Sequence, residues 1–184
     1  DLKLSFYPSL GVELGQATLS EPGSDALFAS LDSAHVAVRL RPLLSRRVVV
    51  DGVEIDGLKA NLIRFRDGRL NIADLINQDN AKREEPASPL GFDVAGIRVS
   101  RSRLEWRDQT SGQMLVLGDL GLSTGQIARQ ARGPLSFGAS LDGGKSGKAR
   151  LDVLGNYVLD LDRRQAAIEQ LDLKVGAQGG GGQM

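Results

Sequence analysis

The sequence predicts a mainly β fold, an antiparallel meander with a few short helices, and three observations predict it. Apolar and polar residues alternate with period two along most of the chain. The apolar residues are mostly Leu, Val, Ile and Ala, with aromatics only 4% against 41% hydrophobic, and branched aliphatics suit strands. Turn signals separate the runs, and no long stretch carries helical period. Lys plus Arg and Asp plus Glu are both 23 among 184 residues, so the net charge is zero. A neutral chain has no global field to gather nucleic acid, which is not an expected partner. The absence of cysteine excludes disulfides and thiolate metal sites, and no apolar run is long enough to span a bilayer as a helix.

Leu2 to Phe6 alternate until Pro8, which cannot donate a ladder bond. Leu10, Val12 and Leu14 continue the pattern, and past Gly15 it resumes one residue out of phase at Ala17 and Leu19, which reads as a β-bulge. Residues 21–25 form a turn cluster, and Ala26-Leu27-Phe28 is expected as a short helical turn. Next, Ala34, Val36, Val38 and Leu40 take one face of a strand and His35, Ala37, Arg39 and Arg41 the other, until Pro42 ends it. Val49, Val53 and Ile55 share a face unless a bulge at Asp51-Gly52 re-phases the strand. Between Lys59 and Arg66 the adjacent Leu62 and Ile63 fit either phase. Asp67-Gly68 is the strongest hairpin signal, since both residues tolerate positive φ. Ile72, Leu75 and Ile76 then sit at helical spacing, with Asn71 placed to cap.

Residues 1–77 thus read as one strand unit. Residues 78–89 hold no aliphatic larger than alanine and two prolines, the composition of a linker or mobile loop. Residues 90–175 return to short strands, expected to continue the same sheet, and residues 176–184 read as a Gly-rich flexible tail. Short connections without crossover helices predict antiparallel pairing throughout. The chain opens on Asp1 and not on Met, and is read as a piece of a longer protein.

No reactive cluster emerges, so no enzyme activity, metal or cofactor is expected. Ala139 to Ser146 match a loose phosphate-loop pattern, but that mechanism needs a helix directly after the loop, and residues 147–153 return to strand periodicity. A polar hairpin turn explains the match better. His35 is the only histidine, which leaves a metal pair or a Ser-His-Asp triad without its usual members. The acidic pairs Glu84-Glu85 and Asp160/Asp162 read as solvated surface. The basic cluster Arg39, Arg41, Arg46 and Arg47 suits a charged guard on a sheet edge better than a headgroup contact.

What remains is distributed: every long strand has one aliphatic and one polar face, and many strands cannot leave the aliphatic face in water. A closed β-sandwich whose faces cover each other satisfies that pattern. An open trough with an apolar cargo satisfies it equally.

The motifs Tyr7-Pro8-Ser9-Leu10-Gly11, Pro42-Leu43-Leu44, Val53 to Gly57, Arg66 to Ile76, Trp106 to Gly112 and Leu117 to Gly125 together resemble the AsmA family of Gram-negative envelope proteins, up to about Val175. The resemblance implies a chorein-like, AsmA-like sheet curled into an open groove. It implies a periplasmic protein anchored in the inner membrane by an N-terminal helix outside this chain, acting in outer-membrane biogenesis and in lipid transport between the two membranes. Its partners would be phospholipid acyl chains and, possible in the same family setting, envelope proteins. The groove wall would comprise Ala34, Val36, Val38, Leu40, Val53, Ile55, Leu104, Trp106, Leu115, Leu117, Leu120, Leu122, Leu135, Phe137, Leu151 and Val153. The competing expectation is a closed sandwich that serves outer-membrane protein assembly through protein–protein contact.

Overall fold

A computed structural model describes residues 2–5, 9–20, 27–43, 45, 48–73, 92–144 and 147–178. Among them the alternating runs form thirteen strands, all hydrogen-bonded into one sheet that stays open and does not close into a barrel. The strands are β1 (Leu2–Ser5), β2 (Ser9–Leu14), β3 (Ala17–Ser20), β4 (Leu27–Leu31), β5 (Ser33–Arg39), β6 (Val48–Asp56) and β7 (Lys59–Arg64), then β8 (Phe92–Val94), β9 (Ile97–Asp108), β10 (Met114–Thr124), β11 (Gln130–Asp142), β12 (Lys148–Asp160) and β13 (Gln165–Gln178). The short helix α1 (Leu40–Leu43) lies between β5 and β6. The order across the sheet is β1-β2-β5-β6-β9-β10-β11-β12-β13, with β3, β4 and β7 forming a branch that rejoins at β9.

The second half is the antiparallel meander that its short turns predict: β11 and β12 pair over thirteen residues without a slip, from Gln130↔Asp160 to Asp142↔Lys148. The junction between the halves departs from the expected antiparallel pairing. Both β6 and β7 run parallel to β9, from Val53↔Ile97 to Asp56↔Ser100 and from Lys59↔Arg103 to Arg64↔Asp108, at one unchanged sequence separation. The connection between β7 and β9 brings the chain back to re-enter in the same direction, which short-turn reasoning does not anticipate. Its residues 78–89, expected as a linker, lie outside the described residues, as does most of the short helix expected after Asn71. The Asn71 amide itself accepts from Ile63 N (3.0 Å) and donates to Asn61 O (2.8 Å), bracing β7.

Other local expectations resolve individually. Leu27 and Phe28 belong to β4 instead of a helical turn, because Ala29 and Ser30 find ladder partners in Ala60 and Lys59. Leu40 leaves the strand and opens α1, so it is not on the face of Val36 and Val38. The pairing slips between Ala37↔Gly52 and Val38↔Val50, a bulge that puts Val50 in place of Val49 beside Val53 and Ile55. Leu62 pairs with Trp106 and Ile63 with Arg107, which sets Leu62 on the apolar face. At Asp67-Gly68 the turn forms with Gly68 N donating to Phe65 O (2.9 Å) and Phe65 N to Arg69 O (2.8 Å). Only Gly68 there takes a positive φ, 84°. Residues 176–178, expected in a flexible tail, complete β13.

A crease crosses the strands from β2/β3 to β10. Each strand takes in an extra residue along this line: Leu14 gives way to Ala17, Leu31 to Ala34, Val99 to Ser102 and Leu117 to Leu120 as successive residues facing one side. Gly57, Arg101 and Asp119 have φ of 64°, 48° and 46° at this line. An extra residue bends its strand and re-aims the side chains beyond it. Here it restores the phase that each strand would otherwise lose, so one face stays apolar on both sides of the crease. Ser102, 2% exposed, fastens it: its hydroxyl accepts from Leu58 N (3.2 Å) and donates to Ser100 O (2.9 Å).

Candidate functional site

Directly opposed residues of neighbouring strands project to the same side of a sheet, so the register alone assembles the apolar face. Ala34 opposes Ile55 and Val36 opposes Val53. Ile55 opposes Val99 across the parallel seam, and Val99 opposes Leu122. Leu122 opposes Phe137, Phe137 opposes Val153 and Val153 opposes Leu173. Beyond the crease the row continues through Leu62 and Trp106 to Leu115, and through Leu104 and Leu117 to Leu141. Leu120, Leu135 and Leu151 fall on the same side, opposite Ser102, Thr124 and Ala139. The residues expected on the wall therefore share one surface, Leu40 excepted.

That surface has no second layer among the described residues. Ala37, Val50, Val94, Val116, Ala139 and Tyr157 are the buried apolar residues, while Ile168, Leu173 and Val175 are 56%, 55% and 66% exposed. Most of the wall residues are half-buried, each flanked by its cross-strand neighbours and open above. A closed sandwich would have hidden them.

The opposite face is charged. Arg101 grips Asp56 with two guanidinium nitrogens, Nε at 2.9 Å, and the Ser100 hydroxyl donates to the same carboxylate (2.8 Å). Those hydrogen bonds, Arg101's first, hold the Asp56 carboxyl down at about 2. A depression of about 630 Å³ lies on this face, floored by Gly121, Ser123, Ser136 and Gly138 and walled by Arg98, Arg150, Asp152 and Lys174. Its depth comes from small residues ringed by long ones. The exposed ion pairs here, such as Arg39–Asp51 at 2.6 Å, contribute little to stability individually.

A strap bridges one edge of the apolar face. Residues 125–129, between β10 and β11, bridge to β8 through Ile127 N to Val94 O (2.7 Å) and Val94 N to Ile127 O (2.9 Å). The Tyr157 hydroxyl donates to Gln126 O, and Leu161 N donates to Arg129 O (2.7 Å). Beneath this strap lies an apolar pocket of about 410 Å³, lined by Ile127, Leu135, Tyr157, Leu159 and Ile168 among others. Gly133 permits the packing, since a Cβ there would lie 2.9 Å from Tyr157 Cζ. Tyr157 and Leu159 alternate as strand residues do, whereas Ile127, alone in a polar loop, carries no periodic signal.

A family model described as the AsmA family matches residues 1–178. No curated protein and no solved structure matches the chain.

Proposed function

We propose, from the premise that this chain belongs to the AsmA family, that its sheet is a groove for phospholipid acyl chains, serving outer-membrane biogenesis and lipid transport between the inner and outer membranes. The protein would act in the periplasm, held to the inner membrane by an anchor outside this chain. The observation that supports this reading is the uncovered apolar face, continuous from β2 to β13 and kept on one side by the extra residues at the crease. An alkyl chain outside a bilayer costs about 0.8 kcal/mol for each methylene exposed to water. A wall of small and branched side chains removes much of that cost at every point, with no nucleotide or covalent step. The crease runs across the strands, so the groove axis follows the direction in which strands are added.

Photo-crosslinking in cells tests the reading. A crosslinker at Val38 or Phe137 should capture phospholipid, and one at Arg39 should not. Capture at Arg39 alone would reverse the face assignment. Absence of phospholipid from purified protein would favour a role in outer-membrane protein assembly through protein–protein contact.

A further inference from the structure

We propose that the pocket beneath the strap is an end site for the alkyl chain of an anionic amphiphile, whose head lies at the turn between β12 and β13. This deepens, and rests on, the acyl-chain reading above. The chemistry of the pocket selects the tail. Two polar side-chain atoms line it, and both are committed to the backbone. The Thr124 hydroxyl accepts from Ile97 N (3.0 Å) and donates to Gly125 O (3.1 Å), and the Tyr157 hydroxyl donates to Gln126 O. No side-chain donor is left free inside for an anionic head, and the strap, tied at both ends, bounds the pocket on one side.

The rim selects the head. Leu159 opposes Ala166 at the pocket and Asp160 opposes Gln165 one step further, so the turn 161–164 stands directly beyond it. There Arg129 pairs with Asp162 at 2.8 Å and Arg163 with Asp160 at 3.8 Å. Among the described residues Arg164 has no ion-pair partner and is exposed, with φ of 53°. An unpaired cation beside an apolar hole complements a phosphate or carboxylate carried on an alkyl chain.

Binding of dodecyl phosphate, dodecanol and inorganic phosphate to the whole chain, below micelle formation, tests this. Wild type should bind dodecyl phosphate. Ala166→Trp, filling the pocket from exposed β13, should weaken it at least tenfold, whereas Leu154→Trp, exposed at the depression on the charged face, should not. Arg164→Asn, which tolerates the positive φ, should weaken dodecyl phosphate severalfold and leave dodecanol unchanged. Should Ala166→Trp fail to melt as wild type does, Ile168→Arg substitutes for it. Undiminished binding in the pocket variant, or inorganic phosphate binding as tightly as dodecyl phosphate, overturns the end site. Phospholipid captured at Val38 and Phe137 together with an indifferent pocket variant sinks the end site alone. Pocket-dependent binding without such capture sinks the extended groove and keeps the end site.

Discussion

Asp56 and Arg101 meet across the parallel seam at the residue where β9 turns to a positive φ, so the carboxylate holds the arginine whose backbone makes the crease. A carboxyl lowered from 3.8 to about 2 on folding stabilises the fold above its unfolded value and loses that contribution as pH falls through the folded one. The melting temperature should therefore drop between about pH 4 and pH 2. Asp56→Asn should drop less steeply there, though not become flat. Asp142, bonded to Lys148, and Asp108, bonded to the Thr110 amide, are lowered too. Identical slopes for both proteins would remove Asp56 from the account.

Ser102→Ala takes the acceptor away from Leu58 N in a buried place. Leaving a buried donor unsatisfied costs about 1–3 kcal/mol. Denaturant unfolding should show a loss of that size, with faster hydrogen exchange at the Leu58 amide. A normal Leu58 amide would mean that the crease is held elsewhere.

Gly57→Ala meets two obstacles. The φ of 64° disfavours an L side chain by about 1–2 kcal/mol, and the new Cβ would lie 2.9 Å from Asp32 Cβ. Its loss of stability should exceed that of Gly68→Ala, where φ is 84° but nothing lies within 4 Å. The difference isolates the contact with Asp32, and equal losses would deny it.

Tyr157→Phe keeps the ring beneath the strap and removes the bond to Gln126 O. A net loss of about 0.5–1.5 kcal/mol is expected. Burial raises the Tyr157 phenol above its ordinary 10, so alkaline absorbance titration of wild type should show a late tyrosine that is missing from the variant.

Leu122→Glu places a charge mid-face on a half-buried, uncovered residue. If the groove carries acyl chains, phospholipid recovered with the purified protein should fall severalfold while melting changes little. Unchanged recovery would move the lipid path away from β10.

Much of this was legible in the chain. Period-two alternation marked the apolar side of each strand that carries Val36, Leu117, Phe137 or Val153, because side chains alternate across the pleat; the register then joined those sides into one surface. The phase shift at Gly15 disclosed the first bulge of the crease. Arg101 and Asp119 hid theirs, since a positive φ at a charged residue leaves no mark in composition. The parallel seam depends on where the chain returns after residue 64, which local pattern does not encode. Ile127 lines a pocket only because residues 94, 157 and 161 converge on its loop, a purely tertiary fact.

The unchanged register of β6 and β7 against β9 also bears on how the chain assembles. From β9 onward every neighbour is the next strand in sequence, so each hairpin closes a short loop and forms early. The seam closes a much longer one, and loop closure must be met before its contacts repay it. The β9–β13 meander is thus the part that forms first and β6–β7 docks onto it late. In a refolding experiment pulse-labelled with deuterium, the amides of β11 and β12 should be protected before that of Arg103, whose backbone partner is Leu58 across the seam.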